Sequence, residues 1–256
     1  MTAEFETEVE ARIAENASNR ALLSARDAFL RESIASRYSY NFRWMGRPII
    51  QYPQDMVAVQ ELIWEVQPDV IVETGIAHGG SLILSASMLA LLDLSEWESA
   101  DAGTKAPAQK RHVIGVDIDI RAHNRSAIEA HPMSNRITMI EGSSIDRGVF
   151  AQVHQAVGDA KRVLVLLDSN HSHDHVLAEL ELYAPLTSRN SYCIVFDMLI
   201  ERLPEELAFD RPWGPGNNPM TAVHTWMKGR EDFVIDKDIE AKLLLTVAPD
   251  GFLRRV

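Results

Sequence analysis

The chain has 256 residues, enough for a full core in one domain with decorations, and its 46% hydrophobic content is that of an ordinary globular protein. A net charge of -12, from 25 Lys and Arg against 37 Asp and Glu, argues against a nucleic-acid surface, which needs clustered cations. Cys193 is the sole cysteine, no apolar run approaches the roughly twenty residues that span a bilayer, and the acidic N-terminus is no signal peptide, so a cytoplasmic protein is expected.

From Glu4 to Ser36, alanines, charges and apolar residues recur at three- and four-residue spacing. This predicts a helix packed over the core or across a partner subunit, and makes a homo-oligomer an expectation. Tyr38–Pro53 (YSYNFRWMGRPIIQYP) is dense in aromatics and arginine; it either lines an acceptor pocket or packs as a buried segment. Residues 1–55 thus read as an extension before a domain at 56–256, which opens with a helix over Asp55–Val66.

Val70–Ser81 (VIVETGIAHGGS) follows as a buried strand, a glycine-rich turn and the start of a helix reaching about Leu94. Gly75, Gly79 and Gly80 permit positive backbone angles and a close approach to a ligand. A dinucleotide fingerprint requires G-x-G-x-x-G, and here one glycine of that set is missing. No phosphate loop is present, and Glu73 before the glycines is unfavourable near phosphate but suited to a cationic methionine moiety. E/D-x-G-x-x-x-G is the pattern of S-adenosylmethionine-dependent methyltransferases; a tight turn with no ligand is the competing account. A second buried strand, VIGVDID, ends at Asp117, which can accept hydrogen bonds from a ribose diol and favours the first account.

Ser95–Arg111 is small, polar and non-periodic, a solvent-exposed excursion. Strands are predicted at Ile137–Glu141, leading to Gly142, Ser143 and Ser144, at Val163–Leu167 before Asp168, and at Tyr192–Phe196 before Asp197. The tail is read as a strand pair, LLLTV and FLRRV, joined at Pro249-Asp250-Gly251. Strands alternating with helices give an α/β fold, a doubly wound, Rossmann-like parallel sheet with an antiparallel C-terminal hairpin.

In such sheets ligands sit outside the carboxyl ends of the strands, where polar residues crowd here. A single acid such as Asp117 or Asp168 could also be a helix cap, the lesser reading; five marked strand ends favour a site. Asp168 opens DSNHSHDHV. A dinuclear zinc hydrolase site would need H-x-H-x-D-H, and this run is one residue short. Asp168 and Asp197 end neighbouring strands and can converge on one magnesium ion, which takes oxygen ligands. His171 fits a general base that accepts a hydroxyl proton, and His173 and His175 read as surface or packing residues. Pro212–Ala222 (PWGPGNNPMTA) is a non-periodic loop before a helix at about Thr221–Lys228 and is either a binding loop or a plain turn.

Three separated segments in order, from Tyr40 to Ser81, at Asp168–His171 and at Trp213–Val223, resemble the cephalosporin hydroxylase family. That resemblance implies a Rossmann-like methyltransferase fold and similarity to magnesium-dependent O-methyltransferases of macrolide sugars. It implies cofactor contacts at Gly75 and Ser81 and a ribose acid at Asp117. Glu73, Gly79, Ile118, Gly142, Ser143, Ser144 and Asp168 complete the expected donor site. It also implies metal ligands at Asp168 and Asp197, and a base at His171. Relatives carry two adjacent acids where this chain has Phe196-Asp197, so either Glu201 or water stands in for the missing ligand, or the metal is weak or absent. The expected activity is O-methylation of a sugar or small natural-product hydroxyl with S-adenosylmethionine and magnesium. The alternative is a non-catalytic, donor-binding partner of an oxygenase.

Overall fold

The computed structural model describes residues 2–100, 111–204, 207 and 211–256. The N-terminal segment forms two helices, α1 (Ala3–Ser18) and α2 (Arg20–Ala35), in place of the single helix expected from Glu4 to Ser36. Asn19 makes the break: its side chain accepts a hydrogen bond from Leu22 N at 3.1 Å and caps α2. Asn competes for backbone groups and so prefers a cap to a helix interior. The aromatic segment after it folds into a hairpin, β1 (Phe42–Trp44) against β2 (Arg47–Ile49). Its two-residue turn, Met45 and Gly46, has φ of 44° and 87°, the paired positive angles that match strand twist.

The chain then alternates α3 (Pro53–Val66), β3 (Val70–Thr74), α4 (Gly80–Glu98), β4 (His112–Asp117), α5 (Ala122–Glu129), β5 (Ile137–Glu141) and α6 (Arg147–Val157). It continues through β6 (Val163–Leu167), α7 (His173–Tyr183), β7 (Tyr192–Val195), a short 3-10 helix at Met198–Arg202, α8 (Pro219–Trp226), β8 (Phe233–Ile235), α9 (Lys237–Leu243) and β9 (Phe252–Arg255). The seven-stranded sheet has the order β5-β4-β3-β6-β7-β9-β8. The first five strands are parallel, β9 runs antiparallel to β7, and β8 pairs antiparallel with β9. From β3 the chain winds outward through β4 and β5, then crosses back to β6 and β7. The carboxyl ends of β3 and β6 therefore flank the switch point, where ligands bind in open α/β sheets.

Strand alternation assigns the two faces. Ile71 packs with α3 and α4 side chains such as Ile63, Leu82 and Leu89, whereas Val70 and Val72 pack with Val153, Leu180 and Val223 of α6, α7 and α8. A small third cluster joins Leu30 of α2 to Tyr52 and Leu199.

The C-terminal hairpin is present, but its partner strand differs from the expected one. β9 pairs with β8, across α9, and Leu243–Val247 is not a strand. The buried carboxylate of Asp55 takes the polar groups there: Thr246 Oγ1 donates to it at 2.5 Å and Val247 N at 3.0 Å. Leu199 N donates to the Val247 carbonyl at 3.1 Å, so the segment is tied to α3 and the 3-10 helix. Of the excursion expected over Ser95–Arg111, Ser95–Glu98 complete α4 and residues 101–110 lie outside the described residues. Arg111 is buried and pairs with Asp93 at 2.5 Å and with Glu96. Among the described residues no helix is long and apolar enough to cross a membrane.

Candidate active site

The glycine-rich turn is built against its neighbours on both sides. Gly75 N donates to the Val116 carbonyl at 2.8 Å, and Gly75 has φ 92°. A Cβ on Gly75 would overlap the Asp168 carbonyl, and one on Gly80 would overlap the Pro48 carbonyl. The turn is thus pressed between the end of β6 and the β1–β2 hairpin, and Gly79 immediately precedes α4. Asp117 clamps it from the third side: Oδ2 accepts from Ile76 N at 2.8 Å and Ala77 N at 3.1 Å, and Oδ1 accepts from Asp119 N at 3.1 Å. A carboxylate has about four acceptor positions, so Oδ1 keeps capacity for a diol. Ile118 beside it is 73% exposed, an apolar surface at the end of β4.

Glu73 is buried on β3. One of its oxygens accepts from the Ser81 hydroxyl, and Oε2 has no partner. Burial pushes its carboxyl up to about 8, against the opposing pull of the Ser81 hydrogen bond.

The other end of the site is made by β6 and β7. Asp168 N donates to the Thr74 carbonyl at 2.9 Å and Phe196 N to the Leu167 carbonyl at 3.0 Å, which places Asp168 and Asp197 at adjacent strand ends. Asp197 sits at φ 55°, turning the chain sharply into the 3-10 helix. His171 Nε2 lies 3.0 Å from Asp197 Oδ2, and its ring meets Trp213 edge to face at 5.0 Å. Arg211 in turn sits over Trp213 at 5.5 Å. Ligand atoms of Asp168, His171 and Asp197 all lie within 4.8 Å of one another. Burial, and then the charge of Asp197, hold the Asp168 carboxyl well above the usual carboxylate range. Two carboxylates with unbalanced negative charge and one imidazole fit a divalent cation.

Phe196 is buried in the core layer and offers nothing to an ion. Glu201 is not among the ligand atoms that converge there. Its Oε2 accepts from Gly216 N at 2.7 Å and from the Asn218 side-chain amide, so it anchors the loop that carries Trp213. The metal role expected of Glu201 thus gains no support from this geometry.

The three alternating histidines separate. His171 joins the carboxylates; His173 bonds Thr221 Oγ1 at 2.8 Å; His175 Nε2 lies 3.0 Å from Ser144 Oγ and 3.2 Å from Ser169 Oγ. Ser144 is buried and its carbonyl accepts from Tyr183 at 2.8 Å, so it links β5 to α7. Gly142 N donates to the Asp117 carbonyl at 2.8 Å, and the Ser143 carbonyl accepts from Asp146 N at 3.0 Å.

A cavity of about 590 Å³ runs from Gly75–Ser81 past Asp168, His171 and Asp197 to Tyr40, Gln51 and Trp213. Asp117, Ile118 and Gly142–Ser144 stand outside that wall, at the ends of β4 and β5. Trp213 and Gln51 are among the wall residues that sequence reasoning did not single out. Gln51 had one signal, a lone polar side chain within the apolar run PIIQYP.

A seven-stranded doubly wound sheet, with a glycine turn and two strand-end carboxylates at its switch point, defines a Rossmann-like protein of the methyltransferase type. The chain belongs to the Rhamnosyl O-methyltransferase/CmcI family, which matches residues 36–256 and bears out the resemblance seen in the motifs. Among curated proteins it is similar to the Rhamnosyl O-methyltransferase of Mycobacterium tuberculosis (strain ATCC 25618 / H37Rv), 29% identical over 217 residues covering 83% of this chain and 77% of that protein. The Rhamnosyl O-methyltransferase of Mycobacterium leprae (strain TN) is 26% identical over 214 residues, covering 83% and 82%. A CmcI structure described with Mg and SAM superimposes with a TM-score of 0.55 at 19% identity, covering 85% of this chain and 77% of that one. An O-methyltransferase from Bacillus cereus in complex with SAH gives 0.51 at 13% identity, covering 88% and 90%. Both show the same fold.

Proposed function

We propose that this chain is an S-adenosylmethionine-dependent O-methyltransferase acting on a sugar hydroxyl. The observation that carries the proposal is the convergence of Asp168, His171 and Asp197 on one cavity wall that also includes the glycine turn, next to the buried Glu73, whose Oε2 has no partner. The name Rhamnosyl O-methyltransferase, borne by relatives over 83% of the chain, supports a sugar acceptor.

In this reading the donor lies along the turn, with its methionine end toward Glu73 and Ser81 and its ribose toward Asp117. Ile118 flanks the adenine, and the backbone at Gly75 and Gly79 allows close approach. Gly142, Ser143 and Ser144 act more remotely, by holding the end of β5 to Asp117 and α7. The acceptor enters past Tyr40 and Trp213. Holding donor and acceptor in near-attack geometry supplies much of the acceleration. The acceptor oxygen attacks the sulfonium methyl, the carbon–sulfur bond breaks, and His171 takes the hydroxyl proton. Its Nε2 lies at Asp197, which leaves Nδ1 as the accepting nitrogen and makes Asp197 the group that orients the ring. Asp168 and Asp197 would hold a divalent ion, magnesium in the sequence reading, and such an ion polarises a bound hydroxyl.

A cytoplasmic setting fits the single buried cysteine. Helix α1, none of whose residues is buried and which exposes Phe5, supports a homo-oligomer. We read residues 1–55 as an extension that reaches the 56–256 domain through Leu30, Tyr52 and Leu199.

Titration of S-adenosylmethionine into the purified protein, with and without magnesium, is the first test, followed by assay of S-adenosylhomocysteine formation with rhamnosides. Binding with turnover is expected. An absence of binding in both conditions would make the turn structural and overturn the proposal; binding without turnover on any sugar would favour the non-catalytic partner.

A further inference from the structure

We propose that Gln51 is a donor-binding residue, which with Glu73 seats the α-ammonium group of the methyl donor's amino-acid end. This inference rests on the donor reading above. Gln51 is only 5% exposed, lines the cavity wall, and its Oε1 has no hydrogen-bond partner. Glu73 is 2% exposed, and its Oε2 is likewise unpartnered. Buried polar atoms are almost always paired, so two orphaned acceptors beside one turn call for a donor.

Their placement brings them to the same face of the sheet. Glu73 shares the face of Ile71 by strand alternation, and Ile71 lies in the core layer that includes Ile49, two residues before Gln51. The backbone at Pro48 presses on Gly80, so the β1–β2 hairpin packs against the turn, and Gln51, two residues past it, lines the same cavity as the turn. Arg47 fixes that hairpin further, donating to the His78 carbonyl and, at 3.0 Å, to Asn124 Oδ1. Ser81, whose hydroxyl holds the other oxygen of Glu73, lines the same cavity as Gln51.

The chemistry of the pair selects the ligand group. An amide oxygen and a buried carboxyl oxygen, each without a partner, disfavour phosphate and carboxylate as ligands. They match a group that carries positive charge and several N–H donors, which an ammonium does. With Asp117 at the other side of the turn for the ribose, this seat would fix which way the donor lies.

The test compares S-adenosylhomocysteine with its des-amino analogue by calorimetric titration. Wild-type protein is expected to bind S-adenosylhomocysteine about ten- to a hundredfold more tightly, the range for hydrogen bonds to a charged group. Gln51→Met keeps the size and removes the oxygen; it should remove much of that difference and leave affinity for the analogue unchanged. Equal weakening of both ligands in the variant, or no change for either, would overturn the proposal. If the variant does not fold, equal wild-type affinity for the two ligands overturns it alone. Wild-type protein that binds neither ligand overturns the donor reading itself, and this seat with it.

Discussion

Gly75 and Asp168 meet backbone to backbone across the switch point of the sheet, so closely that a Cβ on residue 75 would occupy the place of the Asp168 carbonyl. The contact couples the glycine turn to the strand end that carries Asp168. At φ 92°, residue 75 also has a backbone conformation that side chains rarely adopt. Gly75→Ala should therefore destabilise the fold by about 2 kcal/mol or more and weaken donor binding severely. Urea denaturation and calorimetric titration of the variant check both; unchanged stability would mean that the turn relaxes away from β6 at no cost.

His171 stands between Asp197 and Trp213, fixed by a 3.0 Å contact on one side and an edge-to-face ring on the other. On the proposed role of the ring as acceptor of the hydroxyl proton, His171→Ala should cut turnover by on the order of a hundredfold or more, with donor affinity unchanged. Single-turnover kinetics beside a binding titration separate the two quantities. A loss of donor binding would remove His171 from the proton-accepting role.

The parts of this fold that repeat were legible in the sequence, because buried parallel strands read as apolar runs and their ends are marked by acids. Val70–Thr74, Ile137–Glu141 and Val163–Leu167 lie where the pattern placed them. What was hidden depended on partners distant in sequence. Leu243–Val247 has the composition of a strand, yet Asp55, nearly two hundred residues away, captures its polar groups. Glu201 looked like a spare carboxylate near Asp197, and only the folded chain shows its oxygen already committed to Gly216 and Asn218. The Met45-Gly46 turn lacks the usual Asn-Gly or Asp-Gly signal, so the β1–β2 hairpin was not expected.

The position of Glu201 separates two kinds of variant. Asp168→Asn should abolish most of the affinity for a divalent cation, since it removes one of two converging charges. Glu201→Ala should leave cation affinity as it is. It should instead loosen the loop from Gly214 to Asn218 and raise KM for the acceptor, because Trp213 lies on that loop's approach to His171. Calorimetric titration with manganese or magnesium decides the first point, and acceptor saturation curves the second. Weaker cation binding in the Glu201 variant would restore it as a ligand.

Asp55 gives the stability a dependence on pH that no exposed carboxylate would. It is fully buried, and burial pushes its carboxyl up to about 7 despite the hydrogen bonds from Thr246 and Val247. In the unfolded chain the same group titrates near 3.9. Between those values the folded protein keeps a proton that the unfolded chain releases, so the folded state binds more protons. Stability from this group is then present at pH values below about 4, falls as pH rises, and levels off above about 7. The full difference is roughly 4 kcal/mol as an upper figure, at about 1.4 kcal/mol for each pH unit of the interval. Asp55→Asn cannot titrate, so its stability relative to wild type should improve steadily from pH 4 to pH 7. Chemical denaturation of both proteins across that interval measures the difference. A wild-type-minus-variant curve that is flat, or that rises with pH, would show that Asp55 is charged in the folded protein throughout.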